Sequence, residues 1–139
     1  MLYKEWFKSH GDKHKDILKK LTHLTQNEVI EYFRFENMVK NEPNFCYLYQ
    51  ENKKCHKIED LNCYLCACPY FRFNDEAIKE KNDFVRYSSC SIKAKEGLEF
   101  VHKKNIHQDC SQCTIPHKPH YIQKYFSANW FEIMKECQL

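Results

Sequence analysis

Glycine is scarce in this sequence: two of the 139 residues are glycine, and they lie far apart. Phosphate-binding loops of the P-loop and Rossmann types need several closely spaced glycines, because the backbone must approach the phosphates closely. We therefore expect no nucleotide-binding motif of either type. Long apolar runs are also lacking, since no stretch approaches the roughly 20 residues of a membrane-spanning helix or the h-region of a signal peptide. These absences predict a cytoplasmic protein without a membrane partner.

A strong charge of one sign is lacking as well. The 22 lysines and arginines and 19 acidic residues leave a net charge of +3, and the basic clusters are interleaved with acids. Nucleic-acid binders usually show a concentrated basic patch. The charge pattern is therefore typical of a solvated surface, and it leaves open whether an unknown partner is a protein or a nucleic acid.

Both ends of the chain carry helical patterns. The apolar positions of the first helix share one face: Ile17, Leu18, Leu21 and Leu24. Thr25 and Glu28 form a capping box that opens a second helix, from Gln26 to about Val39. Residues 1–43 are thus predicted to be helical, with His10, His14 and His23 on a polar face. Apolar residues at helical spacing predict a further helix from Pro119 to Cys137, within a C-terminal segment of residues 119–139.

The middle of the chain, residues 44–118, has few aliphatic residues and many turn formers. We expect short strands at residues 45–49, 64–73 and 84–87, and a short helix at residues 75–81. Such a segment cannot easily build an ordinary core and needs cross-links. The prediction is one α+β domain with a small, metal-stapled, zinc-ribbon-like core of short strands and irregular loops, flanked by helices.

Nine cysteines are the candidates for these cross-links. They are Cys46, Cys55, Cys63, Cys66, Cys68, Cys90, Cys110, Cys113 and Cys137. In a reducing cytoplasm such cysteines are typical of metal ligands or redox groups, whereas in a secreted chain they would form disulfides. An odd number would leave one thiol unpaired in a disulfide scaffold. The pattern therefore favours metal sites.

Two pairs have the spacing of metal-binding knuckles, Cys63-x-x-Cys66 and Cys110-x-x-Cys113. Two intervening residues let a tight turn aim both thiolates at one point. Two such pairs supply the four soft ligands that tetrahedral Zn²⁺ or an iron–sulfur cluster takes. These four cysteines are our first choice of ligands.

Further donors surround the pairs, enough for two four-coordinate sites. In order of preference they are Cys68, Cys90, Cys55, His117, Cys46 and His56. A trial division joins the two pairs in one site and places Cys68, Cys90, His117 and either Cys46 or Cys55 in the other. Cys137, on the predicted last helix, is expected to be a bystander.

Three motifs in this segment resemble one known family. They are Cys55-His56-Lys57, Asn62-Cys63-x-x-Cys66-x-Cys68-Pro69 and Asp109-Cys110-Ser111-x-Cys113-Thr114-Ile115-Pro116-His117. Their order over residues 44–123 resembles the cysteine-rich small domain family, whose members are zinc-finger-like and sometimes associated with cobalamin-biosynthesis proteins. The resemblance implies metal binding and supplies no reaction.

Two classes of function fit these residues. The first is a zinc-binding protein that acts as a structural or interaction module, held by one or two ions. The alternative is an iron–sulfur or catalytic-metal enzyme or redox protein that uses the Cys63-x-x-Cys66-x-Cys68 run. No general acid or base stands out beside the candidate ligands, which favours the first class.

Overall fold

The computed structural model describes residues 1–135 and 137–139, which form five helices and a four-stranded mixed sheet. The helices are α1 (Tyr3–Lys19), α2 (Gln26–Tyr32), α3 (Phe35–Asn41), α4 (Pro119–Lys124) and α5 (Trp130–Met134). The strands are β1 (Phe71–Lys79), β2 (Val85–Cys90), β3 (Leu98–His102) and β4 (Asn105–Asp109). This architecture confirms the α+β prediction. Within those ranges, no helix combines the length and apolar character needed to cross a bilayer.

The start of α2 follows the predicted capping box. The Thr25 hydroxyl accepts a hydrogen bond from the Glu28 amide at 3.3 Å, and the Glu28 carboxylate accepts one from the Thr25 amide at 3.0 Å. The predicted apolar stripe is also buried at Ile17 in α1, which is 5 % exposed, and at Leu21 just after the helix, which is 6 % exposed. Local sequence signals therefore fix the first two helices.

The predicted helix from Gln26 to Val39 is wrong in one respect, because it breaks after Tyr32. At the break, the Phe33 carbonyl accepts a hydrogen bond from the Cys63 amide at 2.9 Å, and the Phe35 amide donates to the Leu61 carbonyl at 2.9 Å. These backbone groups leave the helix to pair with a distant loop. The break thus attaches the N-terminal helices directly to the cysteine-bearing segment.

The sheet has the order β1-β2-β4-β3. Strands β1 and β2 are antiparallel, as are β3 and β4, and β2 meets β4 in parallel. Residues 85–87 of the strand predicted at 84–87 lie in β2. The strand predicted at residues 64–73 is wrong over 64–70, which are irregular and turn residues, and its last three residues begin β1. The predicted helix at residues 75–81 is wrong, because β1 continues past a bulge and pairs Ile78 with Arg86. The predicted strand at residues 45–49 is also wrong: a 3₁₀ turn, Tyr47–Glu51, covers most of it.

The single predicted C-terminal helix is two short ones, α4 and α5. The chain leaves the helical path between them, where the Ser127 carbonyl accepts a hydrogen bond from the Tyr64 hydroxyl. The Asn129 side chain then accepts from the Phe131 amide at 3.0 Å and opens α5. Glu136, within the span predicted for this helix, lies outside the described residues.

The core between the helices is aromatic and includes two histidines. His10 stacks on Trp6 at 4.8 Å, and His14 meets the Tyr64 ring edge-on at 4.5 Å. Burial lowers the pKa of His10 to about 4 and that of His14 to about 3. The expected polar face is therefore wrong for both. They lie seven and three residues before Ile17 and so continue its buried stripe.

Gly11 marks the closest approach between α1 and α5. A methyl group on Gly11 would overlap the Phe131 ring. We expect Gly11→Ala to destabilise the protein by about 1–3 kcal/mol in urea unfolding, although alanine favours the helix by about 1 kcal/mol. Ser9→Ala is the matched control, because Ser9 is exposed on the same helix. Equal stability of the two variants would contradict this close packing.

Candidate metal centre

The Cys63–Cys66 turn is held from both sides by helices. The Cys63 amide bonds to the Phe33 carbonyl after α2, and the Cys66 amide donates to the Cys63 carbonyl at 3.3 Å. The indole N–H of Trp130 in α5 donates to the Cys66 carbonyl at 3.2 Å. Cys63 is 3 % exposed. The turn is therefore part of the core, and its two thiols are held in place by it.

Four thiols lie close enough around this turn to affect one another, and we call them the inner thiols: Cys46, Cys55, Cys63 and Cys66. A hydrogen bond from the Cys66 thiol lowers the pKa of Cys63 and raises that of Cys66 well above its ordinary value. Burial, with the nearby Cys63 and Cys46 thiols, raises the pKa of Cys55 to about 11. A cation at this place would relieve the mutual repulsion of the thiolates.

Tyr49 places a buried hydroxyl group beside the inner thiols. The side chain is 4 % exposed, and no well-formed hydrogen bond to its hydroxyl is found in the described ranges. Burial raises the pKa of Tyr49 far above its ordinary value, and the Cys63 and Cys66 thiols add to this increase. A buried hydroxyl beside a thiol is a donor suited to a metal-bound thiolate. Sequence reasoning did not identify Tyr49, because one tyrosine among nine carries no ligand signal.

The tightest convergence of donors is a second group, the histidine cluster of Cys55, His56 and His117. In residues 1–135 and 137–139, it is the one set of three or more such side chains whose ligand atoms all lie within 4.8 Å of one another. His56 Nδ1 lies 3.1 Å from Cys55 Sγ, and the two imidazole rings are 4.5 Å apart. The sequence predicted all three as ligands, and one form of the trial division placed Cys55 with His117, but His56 was not joined to them.

Backbone carbonyls set the direction of both imidazoles. His56 Nε2 lies 2.9 Å from the Cys110 carbonyl oxygen, and His117 Nδ1 lies 2.9 Å from that of Asn62. A carbonyl oxygen can only accept, so these nitrogens carry the protons. His56 Nδ1 and His117 Nε2 therefore keep free lone pairs, as in metal-bound histidines. Burial lowers the pKa of His117 to about 4, so its ring is neutral at pH 7.

Asn62 is the residue that holds His117, and only its place in the family motif pointed to it. The side chain is 1 % exposed. Its amide donates to the Ile30 carbonyl at 2.7 Å, and its oxygen accepts from the Tyr64 amide at 2.9 Å. Asn62 thus ties α2, the cysteine turn and His117 together.

The remaining ligand candidates form a third group, the cavity thiols. Cys68, Cys90, Cys110 and Cys113 all line one cavity of about 240 Å³. Burial, with the neighbouring Cys90 and Cys113, raises the pKa of Cys68 to about 11. Burial, with Cys68 and Cys113, raises the pKa of Cys110 to about 12. These four thiols are therefore neighbours in space.

The structure divides the candidates differently from the trial division. The two knuckle pairs belong to different groups, and Cys68 lines the cavity whereas Cys66, two residues before it, does not. The reason is local. Ala67 and Cys68 both have positive φ, 89° and 65°, and this backbone conformation reverses the chain between Cys66 and Cys68. Cys137 belongs to neither group, and its charged neighbours include Arg72 and Asp75.

Comparison of the chain with known family models, curated proteins and solved structures gave no match. The resemblance to the cysteine-rich small domain family therefore stays a prediction from the motifs.

Proposed function

We propose that this protein binds zinc at the histidine cluster, and that the ion is the structural staple of a small interaction module. The observation that carries the proposal is the convergence of one ligand atom each from Cys55, His56 and His117, with both imidazole rings directed by backbone carbonyls. Neutral imidazole and thiolate are the usual ligands of structural zinc. A mixed sulfur and nitrogen set also matches zinc better than the oxygen-seeking Mg²⁺ or Ca²⁺.

A structural zinc site has four protein ligands, and Cys63 is our choice for the fourth. Its Sγ lies outside the group of ligand atoms within 4.8 Å, so zinc binding requires it to move closer to Cys55. Its thiol acts electrostatically on Cys55. The hydrogen bond from Cys66 lowers the pKa of Cys63, so it is the inner thiol most ready to become a thiolate. The zinc then joins the loop that carries Cys55, the buried turn at Cys63 and the His117 segment. This is a narrower form of the zinc-ribbon-like core expected from the sequence.

The test is the zinc content of the full chain with His117 replaced. We expect His117→Ala to lose about one zinc ion per chain after dialysis, because three ligands hold zinc far more weakly than four. His117→Cys should keep the ion, since it restores a ligand, and Cys137→Ser should behave as the parent. Zinc is measured by mass spectrometry of the digested protein.

Two outcomes would contradict the proposal. Parental zinc content in His117→Ala would show that the imidazole is no ligand. Zinc kept in His117→Ala but lost in Cys46→Ser would place the ion among the inner thiols alone. The cysteine rescue separates ligand loss from misfolding, because a merely structural histidine would not be replaced by a thiol.

A further inference from the structure

The cavity thiols come from three separate parts of the fold. Cys68 lies at the chain reversal before β1, and Cys90 ends β2, where it pairs with Phe71 of β1. Cys110 and Cys113 follow β4 in a turn closed by a 3.0 Å hydrogen bond from the Cys113 amide to the Cys110 carbonyl. The four thiols therefore face one cavity, and His56 and His117 of the histidine cluster lie on its wall as well.

The walls of this cavity are mostly apolar. Trp6 of α1, Phe71 and Ile115 are among the lining residues. The polar lining residues include His56, His117 and Gln108, and no lysine, arginine, aspartate or glutamate is among them. Four thiolates in such surroundings repel one another, and no protein cation of the described lining offsets them. Their deprotonated state therefore needs a positively charged group between them. Cys90 Sγ already accepts a backbone hydrogen bond, from the Ala94 amide at 3.5 Å.

The spacing of the cavity thiols differs from that of a single-ion site. Zn–S bonds of about 2.3 Å in a tetrahedron place sulfurs ~3.8 Å apart. Within the described ranges, only the histidine cluster has three or more ligand atoms all within 4.8 Å, so no three cavity thiols meet at zinc spacing. In a four-iron cluster each thiolate binds a different iron at a different corner, so the sulfurs stand wider apart, with the inorganic core between them.

We propose that Cys68, Cys90, Cys110 and Cys113 hold a [4Fe–4S] cluster in this cavity. The cluster core supplies positive charge, suits four sulfurs that are not at single-ion spacing and tolerates apolar walls. The ligand set is not the Cys63-x-x-Cys66-x-Cys68 run expected from the sequence, because the reversal at Ala67 and Cys68 separates that run. The proposal does not depend on zinc at the histidine cluster.

The experiment is metal and sulfide analysis of the full chain purified without oxygen from iron-supplemented cells. We expect brown protein with about four irons and four acid-labile sulfides per chain. Cys90→Ser should lose at least half of the iron and its visible absorption while it keeps the zinc of the histidine cluster. Cys137→Ser, the matched control, should keep both metals.

Colourless protein with two zinc ions per chain, one of them lost in Cys90→Ser, would overturn the cluster and leave the zinc proposal standing. Iron content unchanged in Cys90→Ser would overturn the ligand assignment. The retained zinc of Cys90→Ser shows that the variant is folded. Conversely, His117→Ala should lose zinc and keep iron, so failure of one proposal is distinguishable from failure of the other.

Discussion

Removing zinc with a chelator is expected to lower the melting temperature of the protein by more than ~15 °C. The reason is the position of the proposed ligands. Leu61, Tyr64 and Leu65, which surround Cys63, are at most 1 % exposed and belong to the main core. A metal ion bound to this turn therefore also stabilises the core that the helices form around the turn. Structural zinc contributes about 10–16 kcal/mol in small zinc domains, comparable with the whole stability of a typical protein.

This effect is measured by circular-dichroism melting before and after chelation, with the loss of zinc confirmed by metal analysis. Adding zinc back should restore the original curve. Cys137→Ser should melt as the parent does and respond equally to the chelator. A zinc-free protein with an unchanged melting curve would show that the ion is not a structural staple.

Acid is expected to destabilise the protein steeply between pH 6.5 and about 4.5, through two buried histidines of α1. Burial lowers the pKa values of His10 and His14 to about 4 and about 3, and Lys13 adds to the decrease at His10. His10 Nε2 and His14 Nδ1 are buried and have no hydrogen-bond partner in the described part of the chain. A proton on either nitrogen would place an unpaired charge in the aromatic core.

The direction of the change in stability with pH follows from which state, folded or unfolded, binds protons. Below pH 6.5 the unfolded chain takes up protons on these histidines, while the folded protein does not until pH 4 or lower. The stability due to the neutral rings is therefore complete above pH 6.5 and is lost as the pH falls. Each histidine contributes a slope of about 1.4 kcal/mol per pH unit, so two give about 2.7, or about 5 kcal/mol in all by pH 4.5.

Urea unfolding at several pH values measures this slope. We expect His14→Phe, which keeps an aromatic ring and removes the titrating group, to lower the slope by about 1.4 kcal/mol per pH unit, while its stability at pH 7 changes separately. His23→Gln is the control, because His23 is exposed. If His14→Phe keeps the parental slope, the acid effect belongs to the metal ligands and not to the core histidines.

The parts of the fold that the sequence predicts best have strong local signals. Two examples are the capping box at Thr25 and Glu28 and the apolar stripe at Ile17 and Leu21. In each, the residues that interact are only a few positions apart in the sequence. The break at Phe33 was not predictable in this way. It depends on hydrogen bonds to Leu61 and Cys63, about thirty positions along the chain, and such contacts override helix propensity.

Strands β3 and β4 were missed for a different reason. The turn between them is Lys103-Lys104, and both lysines have positive φ, 48° and 69°. Two-residue hairpin turns of this shape usually carry Asn-Gly or a similar pair, so two lysines give no turn signal.

The sequence identified the candidate ligands, and the fold determines their grouping. A cysteine or histidine is recognisable as a donor from its chemistry and spacing alone. Which donors meet depends on the reversal at Ala67 and Cys68 and on the carbonyls of Asn62 and Cys110. Nothing in the spacing of the motifs encodes these backbone features.

The hydrogen bonds at the helix break also determine what can be cut out of this protein. A fragment that begins at residue 44 would keep every proposed ligand and lose the Phe33 carbonyl, the Phe35 amide and the Ile30 carbonyl. The Cys63 amide and the Asn62 side chain would then face water in place of a fixed partner. The cysteine-bearing segment therefore cannot be moved to another protein by itself. It would keep the donor atoms but lose the hydrogen bonds that position them.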